Sequence, residues 1–63
     1  MCLSTVYEVG NGTENLVCEF TTAININGSA ITLTDIMGED RVIHGALKSI
    51  DLVKNIVLID SRR

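Results

Sequence analysis

Apolar and polar residues alternate with a period of two along most of this chain, and that pattern restricts the fold more than any other feature. A strand turns successive side chains to opposite faces, whereas a helix repeats every 3.6 residues, so clean alternation points to half-buried strands. Ile24-Asn25-Ile26 and Ile31-Thr32-Leu33-Thr34 are the clearest runs, the second with its threonines toward solvent. In the first segment Leu3, Thr5, Tyr7 and Val9 share one face and Ser4, Val6 and Glu8 the other. Both faces carry apolar groups, as in a strand covered by the core on one side and partly by a second subunit on the other.

Turn signals divide the alternation into elements. Gly10-Asn11-Gly12-Thr13 and Asn27-Gly28 supply the residues that tolerate positive φ in hairpin turns, and Met37-Gly38-Glu39-Asp40 marks a third turn. The segment from Leu16 to Asn27 is long for one strand and reads as two pieces bent at Phe20-Thr21-Thr22. Arg41-Val42-Ile43 begins a further strand, which Gly45 interrupts with a bulge or sharp bend. Leu47, Ile50 and Leu52 mark the next strand, Lys54-Asn55 turns it, and Ile56 to Ile59 closes the series. Ala46 to Val53 fits helical spacing about as well, and Glu14 to Cys18 could form a helical turn; flanking β-branched residues favour strand. The reading is all-β: five or six short strands in a small curled antiparallel sheet, most economically a barrel with few open edges.

Sixty-three residues make a single domain (1–63) whose core is small, so external support from a disulfide, a metal or a partner subunit is expected. Two cysteines, Cys2 and Cys18, could serve the first two. The N-terminus lacks a basic segment, and Ser4, Thr5 and Glu8 break its apolar run, so no signal peptide is expected and the protein is placed in the cytoplasm. In that reducing compartment two cysteines suggest thiol or metal chemistry ahead of a structural disulfide. The longest apolar runs, such as Ile56-Val57-Leu58-Ile59, fall far short of the roughly 20 residues that span a membrane. Eight acidic against five basic residues give a net charge of −3, and Arg41, Lys48, Lys54, Arg62 and Arg63 form no stripe. With Tyr7 and Phe20 the only aromatics, nucleic-acid binding is disfavoured.

Chemistry concentrates at Cys2. If Met1 is removed, the new terminus carries an amine and a thiol on adjacent carbons, which together close a five-membered chelate ring once both have lost their protons to a metal. Nitrogen and thiolate donors suit nickel, copper or zinc, and two such termini related by a two-fold axis would make an N2S2 set for square-planar Ni(II). The other reading of Cys2, a small apolar side chain packed at the start of an edge strand, stays open. Cys18, between Val17 and Glu19, reads as a core thiol. His44 has no second histidine at ligand spacing and reads as an ordinary surface side chain; both remain secondary metal-ligand candidates. Met37 reads as a hydrophobe beside a turn, with a soft donor atom. No third group orients a Cys-His pair, no phosphate-cradling loop or CxxC occurs, and Asp35, Glu39, Asp40 and Asp51 fall in turns or at strand ends. An enzyme is not expected.

The opening Met1-Cys2-Leu3-Ser4-Thr5-Val6-Tyr7, the middle Leu33-Thr34-Asp35-Ile36-Met37-Gly38-Glu39-Asp40, the following Val42-Ile43-His44-Gly45, and Ile50-Asp51-Leu52 with Ile56-Val57-Leu58 resemble the CooT family over almost the whole chain. These are small nickel-binding proteins associated with maturation of carbon monoxide dehydrogenase. The resemblance implies an SH3-like β-barrel, a homodimer, Ni(II) held at the dimer interface by Cys2, and a nickel-enzyme client. Cys18 is no part of that pattern. The Met-Cys-Leu start alone also resembles HypC hydrogenase-maturation chaperones, which follow it with a proline absent here. A plain interaction module and an RNA-binding protein complete the alternatives.

Overall fold

Positive φ angles fall in the predicted turns at Asn11, Gly12, Gly28, Gly38 and Asn55, and once within a strand, at Phe20. Asn11 and Gly12 have φ of 53° and 78°, the pattern of a two-residue I′ turn whose twist matches that of the flanking strands. They join β1 (Ser4–Gly10) to β2 (Thr13–Asn27). The next hairpin is displaced by one residue from the predicted Asn27-Gly28 pair. Gly28 and Ser29 are its central residues, with φ of 63° at Gly28, and Asn27 closes the ladder against Ala30 of β3 (Ala30–Asp35). This register sets Ile26 opposite Ile31 and Ile24 opposite Leu33, two apolar cross-strand pairs where the predicted turn would set Ile26 against Ser29. β4 (Asp40–Asp51) and β5 (Ile56–Ser61) complete the chain, and no helix occurs among the described residues, 3–61, of this computed structural model.

Each strand pairs antiparallel with the next, and β5 returns beside β1 in parallel register, which closes a five-stranded barrel. Closure removes the open edges that a sheet this small would otherwise present. Val6, Cys18, Ile31, Leu33, Val57 and Ile59 form the core, with Val17, Ile24 and Ile43 packed against it.

Closing so small a barrel requires bends. β2 supplies them through bulges: Ser4 pairs with Thr21 but Val6 with Cys18, and Thr21 pairs with Asp35 but Ala23 with Thr34. The expected bend at Phe20-Thr21-Thr22 is therefore present within one continuous strand, whose first part pairs with β1 and second part with β3. β4 is likewise continuous through Gly45, which was expected to interrupt it. Gly45 is buried against β5, and the bulge falls at Lys48, between the Leu47–Ile59 and Ser49–Leu58 pairs. The helical alternative for 14–18 is replaced by strand, and that for 46–53 by strand to Asp51 with Leu52 and Val53 in the turn beyond β4.

Candidate metal-handling end of the barrel

The register places the start of β1 beside the β4–β5 turn, whereas the β3–β4 turn lies across β2 from it and at the opposite end of β4. Ser4 pairs with Thr21, and Thr21 with Asp35, so the start of β1 lies two strands from the β3–β4 turn. On its other side Thr5 pairs with Ile56, and its N–H donates to the Asn55 carbonyl at 2.9 Å, which brings in the β4–β5 turn.

Those two turns are built alike. Asp35 Oδ1 accepts from the N–H groups of Met37 at 2.9 Å and Glu39 at 3.0 Å, and Asp51 Oδ1 accepts from those of Val53 at 3.0 Å and Lys54 at 3.1 Å. An aspartate that satisfies the backbone two and three or four residues on fixes the turn without using the intervening side chains. These intervening residues are apolar. Met37, Leu52 and Val53 are 82%, 79% and 92% exposed, the largest values of any large hydrophobic residue described, and Ile36 is exposed beside them. Sequence reading passed over this surface, although Asp35-Ile36-Met37 and Asp51-Leu52-Val53 share a visible pattern of an aspartate followed by two apolar residues.

Of the predicted ligands, Cys2 lies outside the described residues. Cys18 is a buried free thiol, its Sγ donating to the Glu19 carbonyl at 3.6 Å, and it belongs to the core. His44 is exposed and pairs with Ala30, at the far end of β3 from Asp35. The length of β3 separates it by about 17 Å from Asp35. Cys18 is thus buried, and His44 is exposed on the part of β4 that pairs with β3. Among the described residues no group of three or more His, Cys, Asp or Glu side chains comes together as a metal site. No described helix is long and apolar enough to cross a membrane.

Fold and register define a small closed β-barrel that carries its most exposed apolar groups on two turns, Leu52 and Val53 beside the start of its first strand and Met37 at the other end of β4. A family model described as CO dehydrogenase accessory protein CooT matches residues 1–60, and the chain belongs to that family. Among solved structures, the barrel is similar to a crystal structure assigned to CooT from Carboxydothermus hydrogenoformans, with a TM-score of 0.89 and 22% identity, over 98% of this chain and 100% of the other. No curated protein matches the chain.

Proposed function

We propose that this protein is a nickel-binding accessory protein, a non-catalytic cytoplasmic carrier or store of Ni(II) for maturation of a nickel enzyme such as carbon monoxide dehydrogenase. Two copies hold one ion between their N-termini, each contributing the Cys2 thiolate and an adjacent nitrogen. Nickel is cargo here, bound and released unchanged.

The observation that carries this reading is the position of the start of β1 beside the β4–β5 turn, whose tip residues Leu52 and Val53 are apolar and exposed. Cys2 is tethered two residues from Ser4, a span of at most about 7 Å. A second copy that approached closely enough to share the ion would cover Leu52 and Val53. One chain offers no closed donor set among its described residues, which favours ligands shared between copies.

Nickel titration tests the proposal, with Met1 removal checked by mass spectrometry and association followed by size-exclusion chromatography. A thiolate-to-nickel charge-transfer band should saturate at one metal per two chains and vanish in Cys2→Ser. Tight nickel binding retained by Cys2→Ser, or no band in the processed wild type, would overturn it.

A further inference from the structure

Phe20 has φ of 55°, in the left-handed region, within the bulged part of β2. Glycine ordinarily takes such a bulge position, because a Cβ there crowds the following carbonyl. Yet Phe20 gives nothing to the core, since its side chain is 57% exposed. A strained conformation with no return in packing inside the chain directs attention to what the side chain does outside it.

It lines an open cleft of about 300 Å³ with Leu16, Val17, Glu19, Asp35 and Arg41, over the buried Cys18. Leu16 is also more than half exposed, so the cleft has two large apolar walls facing solvent. Neither the Glu19 carboxylate nor the Arg41 guanidinium has an ion-pair partner among the described residues. Asp35 keeps Oδ2 for a further bond, since Oδ1 serves the turn.

We infer that this cleft at the bend of β2 docks a short extended segment of another protein, one that carries an apolar side chain beside a basic one. Leu16 and Phe20 take the apolar group. Glu19 and Asp35 pair with the cation, which also finds the ring face of Phe20. Arg41 donates to a backbone carbonyl of the segment, a role its five N–H groups suit. Two carboxylates against one guanidinium leave the cleft net negative in a chain of charge −3, which selects a basic occupant and disfavours a second acidic copy. The inference stands apart from nickel binding and from Cys2.

The test is a titration of isotope-labelled protein, followed by amide NMR shifts, with two synthetic hexapeptides of equal apolar content in which leucine alternates with lysine or with glutamate. The lysine peptide should move the amides of Leu16, Glu19, Phe20 and Arg41, and the glutamate peptide should need at least tenfold more to do so. Phe20→Gly relieves the φ strain, so it should leave the thermal midpoint unchanged or raised while weakening the lysine peptide at least tenfold. Glu19→Lys should reverse the preference on an unaltered fold. Running the titration on Cys2→Ser should give the wild-type result, which separates this site from the nickel site. Equal response to both peptides, no response, wild-type binding by Phe20→Gly, or the same shifts on dilution without peptide would each overturn the inference, the last by assigning the cleft to a second copy.

Discussion

Gly45 sits against the backbone of Asp60 so closely that a Cβ on it would collide with the Asp60 carbonyl oxygen and lie 3.2 Å from its carbon and 3.3 Å from Ser61 Cα. The obstacle is main chain on β5, which cannot swing aside as a side chain would. Gly45→Ala should therefore push β4 and β5 apart at the Gly45–Ser61 pair, at a cost of about 1–3 kcal/mol. For a domain of this size that lowers the thermal midpoint by roughly 4–24 °C, and urea denaturation of the two forms checks it. An unchanged midpoint would mean the strands separate there at no cost.

The same glycine marks the limit of what could be read from the residues alone. Within β3, alternation placed Ile31 and Leu33 in the core correctly, because a period of two is a local property of a strand. Gly45 was legible as an irregularity, but its cause is a neighbour fifteen residues on, so it looked like a break in β4. The parallel pairing of β1 with β5 depends on contacts about fifty residues apart and leaves no local trace. Phe20 was placed at a bend, yet nothing about an aromatic residue announces positive φ, which propensity assigns to glycine and asparagine. At the candidate site, Cys2 is an expectation of its chemistry and of the resemblance, and it lies outside the described residues. That the start of β1 lies beside the β4–β5 turn required the register.

The Asp51 carboxylate holds two N–H groups of the β4–β5 turn. Asp51→Ala should leave both without that acceptor and cost about 1 kcal/mol, the scale of a lost cap, while Asp51→Asn, which keeps an oxygen acceptor, should cost less than half as much. Chemical denaturation with both variants distinguishes acceptance from charge. Equal losses would assign the effect to charge.

Leu33 is fully buried at the centre of a core of six residues, whereas Val53 is almost fully exposed. Leu33→Ala should cost about 2–5 kcal/mol, comparable with the whole stability of a domain this small, and leave the chain largely unfolded by circular dichroism. Val53→Ala should change stability by less than about 0.5 kcal/mol. A large loss from Val53→Ala would give that residue a part in the fold and weaken its assignment to a surface that meets another chain.

That assignment has its own consequence for association. Ile36, Met37, Leu52 and Val53 contribute nothing to the core, and the two aspartates fix the turns whatever stands at the tips. Leu52 and Val53, at the turn beside the start of β1, present roughly 150–200 Å² of apolar surface, far below the roughly 800 Å² per partner of a standard stable interface. Under the proposed function the shared ion supplies the remainder, so nickel and the apolar tip act on one equilibrium. The double variant Leu52→Ser, Val53→Ser should keep the wild-type thermal midpoint within a few degrees, weaken self-association at least tenfold in sedimentation equilibrium, and raise the nickel concentration needed for half-saturation by linkage. If association and nickel affinity both stay at wild-type values, the two copies meet elsewhere on the barrel and the turn tip has no part in sharing the ion.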